Sequence, residues 1–195
     1  MKVNKAKSLT LLITVIIICI GILTGCNSNS SSNTSESKTT SPESTTSPET
    51  FETGNISTVV PDGWKAFGTT NSDGKSDPNT INISKGAKSD LDMLSRPGVY
   101  IYYYGPGTTF FSAGESFYDD YVEQTPVTIG DRTWNYHTYT SIGYPYAELI
   151  WEDKEKNLAL QVNILLENKP YKISLDDEDV RAIIQNLKII DPDAK

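Results

Sequence analysis

Leu158, Leu160, Val162, Ile164 and Leu166 are spaced two apart near the end of the chain. An extended strand repeats its side-chain direction every two residues, so these five side chains form one continuous apolar stripe. Such a stripe commits the segment to a sheet with one face turned toward a core. Tyr146 to Trp151, just before it, reads as its partner across the charged turn Glu152 to Asn157. A second hairpin is predicted for Val127 to Ile129 and Thr133 to Thr140 about Gly130-Asp131. Ile56 to Val60, Trp64 to Thr69, Thr80 to Ser84 and Val99 to Tyr104 complete the strands, separated by clusters of Gly, Pro, Asn and Asp.

Helical spacing occurs in three places. Val180, Ile183, Ile184 and Leu187 give Asp176 to Leu187 an apolar face. Phe117 and Tyr121, four apart, predict a helix over Gly114 to Glu123, and Asp90 to Ser95 reads as a turn or two. Successive hairpins imply antiparallel pairing, so the expected class is α+β, a mostly antiparallel sheet with helices packed on it. The turn Val60-Pro61-Asp62-Gly63-Trp64, the Val127-to-Tyr139 hairpin and the helix Asp179 to Leu187 ahead of Lys188-Ile189-Ile190 carry a resemblance. Over about Asn55 to Ile190 the chain resembles the PsbP-like family. That resemblance implies an α/β/α sandwich and a non-catalytic accessory role, and it transfers no site residue.

The N-terminus has a different grammar. Lys2, Lys5 and Lys7 precede an almost wholly apolar run from Leu9 to Leu23, the layout of a secretory signal peptide. Leu23-Thr24-Gly25-Cys26 resembles the bacterial lipobox. The resemblance implies acylation of the Cys26 thiol, cleavage between Gly25 and Cys26, and Cys26 as the mature N-terminus. Cys26 is therefore the expected lipid attachment site, with the mature chain on the extracytoplasmic side of the cell membrane. Residues 27–54 follow as an expected tether, with sixteen Ser or Thr among twenty-eight residues and Phe51 as the single large apolar residue. Such a stretch buries too little to offset its ordering entropy. As a flexible coil it would reach on the order of 30 Å. The division is then a signal peptide over 1–25, a lipidated tether over 26–54 and one domain over 55–195.

Charge and cysteine count exclude several functions. The chain carries a net charge of −8, and loss of residues 1–25 removes three lysines and no acid, leaving −11. A nucleic-acid partner requires a basic surface and is not expected. With Cys19 removed in the signal peptide, Cys26 is the one cysteine left. The domain therefore folds without a disulfide and holds neither a cysteine nucleophile nor a cysteine metal site. No cofactor or metal is expected.

Several residues still merit weighing as sites. His137 is the sole histidine, stands mid-strand, and no Gly-x-Ser-x-Gly turn presents a nucleophile to it. Asn71, Asp73 and Asp77 faintly match a calcium loop, but Lys75 takes a ligand position and no Glu closes the frame. Asp176, Asp177, Glu178 and Asp179 suit a helix start, with Ser174 and Asp177 spaced as a capping box. Glu115, Asp119, Asp120 and Glu123 read as a solvated helix face. Ten of the eleven tyrosines lie between Tyr100 and Tyr146. If Val99, Ile101 and Tyr103 face the core, Tyr100, Tyr102 and Tyr104 line the opposite face as candidate ligand-binding residues. The expected function is a membrane-anchored, non-enzymatic binding or accessory domain, its second partner a cell-wall glycan or a membrane protein. The alternative is a hydrolase acting on cell-wall or extracellular polymer.

Cys26→Ala is expected to abolish incorporation of labelled lipid and to leave uncleaved precursor in the membrane fraction, read by gel mobility. Normal processing and labelling of the variant would remove Cys26 as the attachment site.

Overall fold

The computed structural model describes residues 48–110, 114 and 117–190. The signal peptide, Cys26 and the tether up to residue 47 lie outside the described residues, as does Glu115. Twelve strands and one α-helix follow in chain order. They are β1 (Glu49–Glu52), β2 (Ile56–Val60), β3 (Trp64–Thr70), β4 (Ser76–Lys85), β5 (Gly98–Tyr104), β6 (Asp119–Ile129), β7 (Arg132–Ser141), β8 (Tyr144–Asp153), β9 (Leu158–Leu165), β10 (Glu167–Asn168), β11 (Tyr171–Lys172), α1 (Glu178–Gln185) and β12 (Lys188–Ile189). A 3-10 turn over Asp90–Ser95 joins β4 to β5.

Seven strands form one antiparallel sheet in the order β3-β4-β5-β9-β8-β7-β6. A small sheet, β1-β2-β12, and the hairpin β10-β11 complete the pairing. The apolar stripe of β9 lies at the centre, with Leu160, Val162 and Ile164 fully buried between Val99 and Ile101 of β5 and Ala147 and Leu149 of β8. Ile56 and Val60 of β2 and Val180, Ile183 and Ile184 of α1 close over this face. Burying those apolar side chains supplies the main stabilisation of the fold, at about 1.5–3 kcal/mol for each large one.

Polar bonds fix α1 in place. The Trp64 indole N–H donates to Asp179 Oδ2 at 2.9 Å, and Lys85 Nζ stands 3.7 Å from the same oxygen. Thr58 donates to the Ile183 carbonyl. Arg132 Nη1 donates to the Leu187 carbonyl at 2.8 Å, where a helix end leaves carbonyls unpaired and favours a cation.

The α+β class with helices packed on a sheet is overturned. Strand accounts for 57% of the described residues, and α1 and the 3-10 turn are their two helical elements. The fold is β-rich, without the two helical layers of an α/β/α sandwich. The helix expected over Gly114 to Glu123 is instead strand from Asp119 onward. Between Asp119 and Val122 the β6 strand carries one extra residue, since Asp119 pairs Thr140 and Val122 pairs Thr138. This bulge breaks the two-residue period and brings Tyr118 and Tyr121, three apart, to one face, whereas the Phe117–Tyr121 spacing of four fits a strand and a helix alike. A second irregularity at Gln124–Val127 accommodates Pro126 on this edge strand.

The N-terminal boundary also moves. Glu49–Glu52, assigned by composition to the tether, pair as β1 with Ser57–Val60, and Phe51 packs against the core. Thr53 Oγ1 then donates to the Pro78 carbonyl at 2.7 Å. A chain beginning at Asn55 is therefore expected to fold but to lose about 2 kcal/mol relative to one beginning at Thr45, the worth of a partly buried aromatic and its strand pairing. Urea denaturation should show the loss as a lower midpoint, and equal midpoints would show that β1 contributes nothing.

Candidate functional site

Register turns the second face of the large sheet into ordered rows. One row crosses all seven strands as Glu123, His137, Glu148, Asn163, Tyr100, Asn82 and Phe67. The next, toward the β8–β9 turn, holds Asn135, Ile150, Gln161, Tyr102 and Thr80. On its other side stand Tyr139, Tyr146, Leu165, Gly98 and Ser84. The face is unusual for being both polar and closed to water. Asn82, Ser84, His137 and Gln161 are buried, and Glu148 has no exposure at all.

A chain of contacts links these groups. The Tyr104 hydroxyl donates to Gln161 Oε1 at 2.8 Å, and Gln161 Nε2 donates to Glu148 Oε1 at 2.6 Å. Glu148 Oε2 faces His137 Nδ1 at 3.6 Å, and His137 Nε2 stands 4.0 Å from Glu123 Oε1 at the exposed edge. Ser84 Oγ, Asn163 Oδ1, His137 Nδ1 and Glu148 Oε2 are buried without a hydrogen-bond partner among the described residues, and all four belong to this face. Closing the His137–Glu148 gap by about half an ångström would satisfy two of them. Burial raises the Glu148 pKa above the ordinary carboxylate range, opposed by the Gln161 bond and by His137.

Aromatic rings cover much of the polar layer. Tyr118 stacks on Tyr139 at 3.9 Å, Tyr139 on Tyr146 at 5.3 Å, and Tyr121 on His137 at 5.2 Å. Phe110 meets Tyr104 edge-on at 5.0 Å. Burial, then the neighbouring Tyr146 and Tyr102, push the Tyr100 hydroxyl up to about 12. Tyr139 is raised as well, first by burial and then by Tyr118. An open depression runs along Thr133, Asn135, Ile150 and Glu152 on the same face.

Tyr100, Tyr102 and Tyr104 do stand opposite Val99 and Ile101, and all three are half-buried. The rings against this face come from the β5–β6 connection and from β6, not from a helix. His137 is buried in this row between Glu123 and Glu148. The remaining acids are occupied locally. Asn71 Oδ1 accepts from the Asp73 and Lys75 amides, and Asp77 accepts from the Asn79 amide and the Thr80 hydroxyl. Asp177 caps α1 by position, while its carboxylate reaches back to the Ser174 amide at 3.2 Å. Asp119, Asp120 and Glu123 lie exposed on the edge strand.

Sequence reasoning missed Glu148 and Gln161. A signal existed, because each interrupts a strand of otherwise apolar inward neighbours, and a lone carboxylate between Ala147 and Leu149 requires a partner. Tyr118 and Tyr121 were hidden by the bulge. No protein-family model, no curated protein and no solved structure matches the chain.

Glu148 makes stability depend on pH. Its folded pKa lies above the unfolded value, so its contribution is fully present below the ordinary carboxylate range and is lost as pH rises through the folded pKa. Glu148→Gln keeps an oxygen for Gln161 and carries no charge. The variant is expected to gain stability relative to the parent between about pH 4 and pH 7. Urea midpoints for both proteins at the two pH values measure this, and a constant difference would show that Glu148 does not titrate differently on folding.

Proposed function

We propose that the chain is an exported lipoprotein, held by acyl chains on Cys26 at the extracytoplasmic side of the cell membrane, whose domain binds a cell-wall glycan without chemistry. The observation that carries the binding reading is the half-buried row of Tyr100, Tyr102 and Tyr104 on one face of the large sheet. A sugar ring offers an apolar face for stacking and hydroxyls for hydrogen bonds, and the half-buried tyrosines offer ring faces with hydroxyls at their tips. Two or three acyl chains give stable anchoring where one gives marginal binding. The −11 charge of the mature chain keeps such a domain soluble.

One observation favours the hydrolase alternative. Glu123 and Glu148 flank His137 in a single row, and a carboxyl with a raised pKa suits a general acid. Against it, Glu148 has no exposed surface and its Oε1 accepts from Gln161, so substrate would not reach it without rearrangement. The balance supports binding.

Tyr102→Ala and Tyr104→Ala are each expected to weaken capture of purified cell-wall fragments by about 1–2 kcal/mol, provided both variants melt like the parent. Unchanged capture by folded variants would remove the tyrosine row from the site. Steady release of reducing ends from the fragments would instead establish the hydrolase.

A further inference from the structure

The exposed large apolar side chains of the domain are distributed unevenly. Leu91 and Leu94 on the 3-10 turn are 77% and 82% exposed, Ile142 in the β7–β8 turn is 94% exposed, and Tyr144 and Tyr171 are also exposed. Register puts these five at one end of the large sheet, while of the other two exposed apolar residues Phe117 precedes β6 and Val122 sits along its edge. Ser141 pairs Tyr144, and Tyr146 aligns through Leu165 with Gly98, where the 3-10 turn rejoins the sheet. The hairpin β10-β11 fills the space between, with Asn168 Nδ2 donating to the Leu94 carbonyl at 3.2 Å and Arg96 lying over the Tyr171 ring at 3.7 Å. The opposite end is different. Its turns present Asp73, Lys75, Asp131, Lys154 and Lys156, and no large apolar side chain there is exposed among the described residues.

Ile142 is the sharpest of these observations. Its φ is +52°, a region that disfavours a β-branched side chain and suits Asn or Gly. The two-residue β7–β8 turn requires this φ, but Ile adopts it at a cost that Asn or Gly would avoid and exposes an apolar side chain, and neither the strain nor the exposure helps the fold. Both costs make sense if the side chain has a partner outside the domain.

The chain path names that partner. Glu49 pairs Val60, and Val60 leads through a three-residue turn into Trp64, which pairs Lys85 at the start of the β4–β5 connection. The polypeptide thus enters the domain at the end that carries the apolar side chains. Residues 27–47 separate this entry from Cys26, and as the flexible coil that their composition predicts they would span roughly 25 Å. Around the 3-10 turn and β10-β11, Lys88, Arg96, Lys169 and Lys172 stand among Asp90, Asp92 and Glu167, while Asp119 and Asp120 at the start of β6 add negative charge at this end.

We propose that this end is a membrane-contacting surface, in which Leu91, Leu94, Ile142 and Tyr144 enter the interfacial layer of the bilayer that holds Cys26. The proposal rests on the lipoprotein reading. A few apolar side chains bind a bilayer only weakly by themselves. The tether makes the contact intramolecular, and a short flexible linker supplies the high effective concentration that a weak contact requires.

The test uses the full lipidated chain in vesicles of phosphatidylethanolamine and phosphatidylglycerol. With Cys26 acylated, Ser95→Cys beside Leu94 and Lys156→Cys at the opposite end each provide a single free thiol for an environment-sensitive dye. The expected result is a blue-shifted dye at 95 that is quenched several-fold less by aqueous iodide than the dye at 156. Adding Leu91→Ser and Leu94→Ser should equalise the two positions. Ile142→Asn, which relieves the strained φ, should reduce the protection at 95 without lowering the melting midpoint. Equal quenching at 95 and 156 on a chain whose mass shows acylated Cys26 would overturn the membrane contact alone. A mass showing unmodified Cys26 would overturn the anchor and the contact together.

Discussion

A carboxyl group without exposed surface at the centre of a sheet imposes conditions on everything around it. Glu148 stands between Ala147 and Leu149, which face the apolar core, so the pleat forces its own side chain onto the other face. That face must then be polar where β7, β9 and β5 pass beside it. His137, Gln161, Asn163 and Tyr104 meet the requirement, and each is placed by register. A one-residue slip of any of these strands would turn its polar residues into the core and its apolar ones outward. The central pairing of β5, β9, β8 and β7 is thus specified twice, by apolar residues on one face and polar residues on the other.

The face is closed by rings, and this follows from connectivity. β5 ends at Tyr104 near one end of the sheet, whereas β6 begins at Asp119 near the other end and on the outer edge. Phe110 and Tyr118, near the two ends of the connection, both place their rings on the polar face. Tyrosine suits this position because its ring excludes water while its hydroxyl remains a hydrogen-bonding group. Gly98 meets the opposite demand. A Cβ there would stand 2.8 Å from the Ile83 carbonyl and 2.9 Å from Ser84 Oγ, so the close approach of β4 to β5 admits no side chain.

Elements whose pattern came from a single rule were legible in the sequence. The stripe of β9, the apolar face of α1 and the hairpin turns at Gly130 and Glu152 to Asn157 all obey one periodicity or one turn chemistry. What failed did so where two rules overlapped. Around β6, Phe117 and Tyr121 stand four apart, a spacing that fits the helical and the two-residue strand period alike, and the bulge after Asp119 left no clean alternation to decide between them. In β1 composition was outweighed by pairing, because a Ser/Thr-rich flank becomes a strand once β2 offers an edge and the core accepts Phe51. Those two errors supplied the helical layer and the tether boundary that the structure removes. The site was half legible for a related reason. Alternation put Tyr100, Tyr102 and Tyr104 on one face, but cross-strand neighbours such as Glu148 and Gln161 follow from register, which a linear pattern does not contain.

The arrangement of the two proposed surfaces is consistent with both operating together. The exposed apolar residues lie at an end of the sheet, whereas the tyrosines and the polar row lie on its face, so neither occludes the other. From Tyr144 at the apolar end to Glu148 is four residues of strand, about 13 Å at 3.3 Å per residue. From Tyr144 to the far turn is a ten-residue strand, roughly 33 Å by the same rise. A domain resting on its apolar end would hold its strands away from the bilayer and present the tyrosine face sideways, clear of the headgroups. A ligand running parallel to the membrane would then meet that face without displacing the anchor. The tether would limit how far the domain strays, and the apolar end would set which way it faces.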